Sequence, residues 1–245
     1  MKAARTLIAL MCVWGLAAVS ASAQGRGGGG AAAPARTAKQ AAPIDLTGYW
    51  VSYVTEDWRF RMMTPPKGDY RGVTLNADAR KVADAWDPAA DEASGNQCKF
   101  YGAAAIMRVP ARFHITWQDD NTLVIESDAG MQKRVLHFGS PPPPTEPTWQ
   151  GRSMAEWDMP SRSLKVATDN MKAGYLRRNG VPYSDKATVA EYVDLSPYPG
   201  GKELMVFTTV VTDPVYLVRP FIISTHFIKE RDGSKWNPTP CSARW

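Results

Sequence analysis

The chain has 245 residues, of which 44% are hydrophobic, 22% charged and 10% aromatic. That composition excludes a fully disordered, collagen-like or polytopic membrane protein. Of its 29 basic and 24 acidic residues, five basic ones (Lys2, Arg5, Arg26, Arg36, Lys39) and no acidic one fall within residues 1–43, so the formal charge of +5 belongs to the N-terminus and the remainder is neutral. A nucleic-acid partner needs a basic face on the folded domain, and none is expected here.

Met1–Ala23 reads as a secretory signal. Lys2 and Arg5 supply the charged start, Leu7–Val19 an apolar stretch too short to span a bilayer, and Ala21-Ser22-Ala23 small residues for cleavage. No other stretch is apolar for long enough to cross a membrane, so a periplasmic or secreted chain with no transmembrane segment after cleavage is expected. Residues 24–43, rich in Gly, Ala and Pro, read as a flexible tether, and residues 44–245 as one domain. Cys12 lies in the signal. Cys98 and Cys241 remain, and in an exported protein one disulfide is the simplest use of them; the alternative is two free or metal-binding thiols. A loop that long would contribute on the order of 5 kcal/mol in the chain-entropy model.

The dominant pattern after residue 44 is short apolar runs separated by turns. Strands are predicted at 46–54, 111–117, 122–126, 132–138, 153–158, 163–169, 188–195, 203–212 and 221–229, with Asp119-Asp120-Asn121, Asp128-Ala129-Gly130, Pro160-Ser161 and Pro199-Gly200-Gly201 as turns. One helix follows Asn76, with Ala79, Val82, Ala83 and Trp86 on one stripe and an end at Asp87-Pro88. Residues 62–72 and the proline-rich 140–148 are long enough to act as lids, and 175–184 carries an Asn-Gly turn. Short turns make neighbours antiparallel, and a meander of this size hides its edges by closing. The predicted fold is mainly β: an antiparallel, lipocalin- or calycin-like barrel of about 8–9 strands with one short helix.

Gly48-Tyr49-Trp50 resembles the Gly-x-Trp opening of lipocalins and the wider calycin group, in which the Trp plugs the closed end of the barrel and a late Arg packs over it. Arg219, Arg231 and Arg244 are available for that role. The segment from Asp45 to Trp50 (DLTGYW), the loop Arg178–Ser184, Ala190-Glu191-Tyr192 and Asp213–Leu217 with Pro220-Phe221 together resemble an uncharacterised family of secreted bacterial proteins. That resemblance implies a shared fold and export, and no activity.

Chemistry-bearing residues are few. His114, His137 and His226 share no local ligand spacing, so neither a metal nor another cofactor is expected. His114 lies opposite Phe113, Ile115 and Trp117 on its strand, and His226 opposite Phe221, Ile223 and Phe227. Glu191 interrupts Val189 and Val193, and a lone carboxylate among valines would have its pKa raised by desolvation. Glu191 with His114 or His226 is therefore a candidate acid–base cluster in the cavity, and Trp117, Tyr192, Met107 and Phe207 are candidate lining residues. The first functional expectation is binding of a small hydrophobic, aromatic or amphipathic molecule inside the barrel. Two alternatives are a cofactor-independent lyase, isomerase or hydrolase using the same cavity, and an interaction protein of the cell envelope.

Overall fold

The computed structural model describes residues 36–143 and 145–244. The expected signal at 1–23 and the first part of the tether lie outside the described residues. The nine runs form nine strands: β1 (Gly48–Ser52), β2 (Arg112–Asp119), β3 (Thr122–Ser127), β4 (Gln132–Phe138), β5 (Arg152–Asp158), β6 (Ser163–Asp169), β7 (Thr188–Tyr198), β8 (Lys202–Thr212) and β9 (Phe221–Lys229). They pair in chain order into a closed barrel, with β9 returning to β1.

One pairing departs from the antiparallel expectation: β5 runs parallel to β4, with Leu136 opposite Ser153 and Phe138 opposite Ala155. Nine strands cannot close with every pair antiparallel, because the last would meet the first pointing the same way; a ring of odd number needs a parallel pair, and here it falls between β4 and β5. A parallel pair also needs a connection of a dozen or more residues. Residues 139–151, with their run of prolines, make that crossover, so the expected lid at 140–148 is a return path. Its far end is pinned where Thr148 N–H donates to the Asn170 carbonyl and Asn170 Nδ2 to the Thr145 carbonyl.

This direction change sorts the connections. Three of the four short turns lie at the end of the barrel where β2, β4 and β5 finish, and there Trp117, Phe138 and Trp157 close the floor with ring centroids 5.4–6.5 Å apart. Trp50 is fully buried beside them in the same core, and its indole N–H donates to the Leu46 carbonyl at 2.9 Å. Gly48 stands at φ 108°, a conformation that L side chains rarely adopt. The cation over the Trp50 ring is Lys229 Nζ, 5.2 Å from its centroid, in the place the lipocalin pattern gives to a late Arg.

At the opposite end the long connections fill the mouth. Residues 100–109 enter it as two 3₁₀ turns (Lys99–Tyr101 and Ile106–Arg108) and are buried throughout, from Phe100 at 3% exposure to Val109 at 1%. An irregular segment can be buried only if its peptide groups find partners. Ala103 N–H donates to the Trp149 carbonyl, Gln150 Nε2 to the Tyr101 carbonyl, Arg61 Nε to the Arg108 carbonyl and Ser52 Oγ to the Val109 carbonyl. The Cys98–Cys241 disulfide ties the start of this plug to the C-terminal tail. The tail has climbed the outer wall from the floor, and its Thr239-Pro240 pairs with Ala129-Gly130.

The interior is therefore packed. Phe113 and Phe207 both meet Phe227 edge-on, at 5.2 and 5.8 Å, with Met107 from the plug in the same buried cluster. The expected helix is real but shorter: four short helices are described, α1 (Ala38–Ala41), α2 (Trp58–Arg61), α3 (Ala77–Asp84) and α4 (Pro88–Ala93). Asn76 caps α3, accepting from Ala79 N–H, and buries Ala79 and Ala83 while Val82 stays exposed. Asp87-Pro88 both ends that helical run and opens α4, because Asp87 accepts from Ala89 and Ala90 N–H and proline suits the first helical position. The last part of the expected tether is docked: Thr37 and Gln40 form a capping box, and Trp157 Nε1 donates to the Ala38 carbonyl at 2.8 Å.

Replacing Cys98 and Cys241 together by Ser frees the plug from the tail. The unfolding free energy should fall by about 2–5 kcal/mol in a urea titration of the variant against the oxidised protein.

Candidate functional site

Alternation along the strands decides which side chains face inward. On β7, Val189, Glu191, Val193 and Leu195 point to the interior and Tyr192 to the outside; on β4, Arg134 shares the inner face with Leu136 and Phe138. Glu191 is thus not a lone carboxylate. Arg134 grips it with two bonds, Nη1 to Oε1 at 3.0 Å and Nη2 to Oε2 at 2.5 Å, and reaches Thr168 Oγ1 at 2.8 Å and Ser153 Oγ at 3.3 Å. Both charges are buried, so the pair is a bidentate bridge across the barrel between β4 and β7.

The histidines face the other way. His226 Nδ1 lies 2.7 Å from Glu56 Oε2 and 3.1 Å from Thr55 Oγ1. His114 stacks on Tyr49 at 4.1 Å and sits 3.7 Å from Glu126. The barrel wall separates both from Glu191, so the structure does not assemble the acid–base cluster expected of these three residues. Among the described residues no three His, Cys, Asp or Glu side chains are gathered as a metal would require.

Of the four candidate lining residues, Met107 and Phe207 belong to the packed core at 2% and 1% exposure. Trp117 is half-buried in the floor and borders a depression of about 610 Å³ beside Ile44 and Thr47. Tyr192 stands on the outer wall, 40% exposed, at the edge of a groove of about 620 Å³.

That groove follows from register. Met154, Ala167, Ala190 and Val210 are consecutive cross-strand neighbours on β5, β6, β7 and β8, all pointing outward. A barrel wall facing water usually carries polar side chains there. Instead two alanines form a low floor, with Met154 on one side and Val210 on the other. The next row holds Glu156, Lys165 and Tyr192, also neighbours in register. Gly139, where the crossover leaves β4, closes one end. Past Ala190 the groove continues into a second one of about 290 Å³ that shares Met154, Ala167 and Ala190. Lys165 Nζ lies 3.5 Å from Asp158, so the polar end carries both signs of charge.

Two features were not picked out in the sequence reading. Arg134 had a readable signal, since it interrupts an apolar face as Glu191 does. The other is a set of buried arginines under the plug. Arg61 donates to the Glu56 carboxylate and Arg108 Nη2 to Asp57 at 2.6 Å, while Arg177 lies over the Phe60 ring at 3.7 Å. They come from three separate segments, and nothing local announces that they meet. Comparison of the chain with family models, curated proteins and solved structures returned no match.

Two predictions follow from these polar contacts. Glu191→Gln leaves the Arg134 charge buried without its counterpart and should cost about 3–5 kcal/mol by urea unfolding, whereas Arg134→Met with Glu191→Leu should cost less than the single change. Tyr70 donates to Asp84, and burial, followed by that bond, pushes its hydroxyl pKa up to about 12. The folded state therefore keeps a proton that the unfolded state loses from about pH 10, so this contribution is complete below pH 10 and is lost as pH rises toward 12. The stability difference between the protein and Tyr70→Phe, measured from pH 8 to 11, should be flat at first and then shrink.

Proposed function

We propose that the protein is exported and binds a small hydrophobic or amphipathic molecule, and that it does so in the outer-wall groove. The observation that carries this reading is the outward row of Met154, Ala167, Ala190 and Val210. It puts partly exposed apolar and small side chains on a surface that would otherwise be polar, which suits contact with an apolar body. Its volume of about 620 Å³ lies within the range of small-molecule sites. Tyr192 offers an exposed ring for an aromatic or alkyl body, and Glu156 and Lys165 offer charges for a polar group. The packed interior speaks against the lumen as the site. Export is supported by the charged, apolar and small-residue sequence of Met1–Ala23 and by the Cys98–Cys241 disulfide, which suits an oxidising compartment.

The test uses anilinonaphthalene sulfonate, which has an aromatic body and a charge, as a fluorescent probe of the folded protein. Ala167→Arg and Ala190→Arg each raise a long side chain from the groove floor without touching the core. Each should weaken probe binding at least tenfold with an unchanged melting temperature. Unchanged affinity in both variants would refute the outer-wall assignment.

A further inference from the structure

The large hydrophobic side chains left exposed are not spread evenly over the barrel. Of the eleven among the described residues, six lie on two segments at the mouth. Trp58, Met62 and Met63 belong to α2 and the residues just after it; Val215, Val218 and Ile222 belong to the connection from β8 and the first residues of β9. Single exposed apolar residues are ordinary, whereas a concentration at one end marks a contact surface. Exposure here is high, at 60% for Trp58, 65% for Val218 and 61% for Ile222.

The two segments are held to each other. Met62 N–H donates to the Trp58 carbonyl at 2.7 Å, which sets these side chains one helical turn apart on one side of α2. The Arg177 guanidinium lies 3.7 Å from the ring centroid of Phe60 in α2 and 5.9 Å from that of Phe221, so α2 and the start of β9 meet over it. Val218 N–H donates to the Thr74 carbonyl at 2.9 Å, and Leu217 pairs with Leu75. The second segment is thereby joined to the chain that leaves α2.

Charge on these segments is sorted by exposure. Residues 58–72 and 213–222 expose Arg59, Lys67, Arg71 and Arg219. Their two carboxylates are turned inward. Asp69 is 7% exposed and is bonded by Arg59 at 2.8 Å and Arg71 at 3.0 Å. Asp213 is 1% exposed and accepts from Ser184 N–H at 2.6 Å and Ser184 Oγ at 2.8 Å. Just before α2, Glu56 and Asp57 are engaged by Arg61 and Arg108. Helix α3, which follows, exposes Arg80 and Lys81 against Asp78 and Asp84 and adds no net charge. The apolar side chains are therefore accompanied by exposed charge of one sign. Tryptophan favours the headgroup level of a bilayer, and anionic lipids attract lysine and arginine. Lysine, by contrast, is depleted at protein–protein interfaces.

We propose that the mouth of the barrel docks on an anionic lipid surface, with Trp58, Met62, Met63 and Val218 at the headgroup boundary and Arg59, Lys67, Arg71 and Arg219 facing its phosphates. The two contributions act together: a few apolar side chains alone give marginal, reversible attachment, and the cations add the second signal that peripheral binding needs.

The test uses the oxidised chain from Gln24, the form left if Met1–Ala23 is cleaved, and vesicles of phosphatidylcholine with or without phosphatidylglycerol, read by co-sedimentation. Binding should require phosphatidylglycerol and weaken with added salt. Trp58→Ser and Met62→Ser remove an exposed apolar body without changing charge; each should weaken binding at least fivefold with an unchanged melting temperature, while Trp58→Phe should retain it. Lys67→Ala and Arg219→Ala should each weaken it about fivefold. The basic residues of 24–43 are present in every variant, so these differences report on the mouth. The proposal is overturned if phosphatidylglycerol vesicles are not bound, the result expected of a surface that docks a protein. It is equally overturned if the serine variants bind as the parent does, which would place the contact elsewhere on the chain. None of the substituted positions lines the outer-wall groove, so the two assignments fail separately.

Discussion

The parity of the barrel governs the rest of the structure. Nine strands in a meander close only if two neighbours run parallel, and here the burden falls on β4 and β5. That seam demands a long return from floor to mouth, which is made between Gly139 and Gly151. Everything downstream of the seam is shifted in direction accordingly. Three of the four tight turns lie at the floor, the one between β3 and β4 lies at the mouth, and the long irregular connections gather at the mouth, where they can fold over one another.

Filling the lumen is the second consequence. A barrel of this size has room either for a guest or for its own side chains. Here the 100–109 segment takes the guest's place, supported by the disulfide at its start and by peptide hydrogen bonds along its length. Between this plug and the aromatic floor, the Arg134–Glu191 bridge runs along the inner face over Ser153 of β5 and Thr168 of β6 and ties β4 to β7 at a defined register. Such a buried pair adds little net stability over an apolar filling, but it penalises alternative pairings that would strand either charge. The outer-wall groove, with its low alanine floor between Met154 and Val210, is where we propose that a partner molecule binds.

Much of this was legible in the sequence. Short apolar runs bounded by turn residues located all nine strands within a few residues. The disulfide followed from cysteine arithmetic, and the cap at Asn76 from its residue type. The parallel seam was not legible, because turn chemistry reads neighbours in pairs, whereas closure is a property of the whole ring. The plug was missed because Phe100–Val109 has neither helical nor strand periodicity; its signal was simply a run of small and apolar residues between Cys98 and Pro110. For Glu191 the alternation already held the answer. It shares its face with valines, while His114 and His226 lie opposite the apolar residues of their strands, so the three belonged on different sides of the wall. The arginine unit was beyond reach, since its members are brought together only by tertiary packing.

The barrel is packed inside, and its outer groove is proposed to receive a small molecule. A crystal structure of the protein soaked with anilinonaphthalene sulfonate addresses this most directly. Density for the probe over Ala167 and Ala190, beside Tyr192 and with residues 100–109 undisturbed, is the predicted result. Density among Phe113, Phe207 and Phe227, with the plug displaced from the mouth, would contradict it.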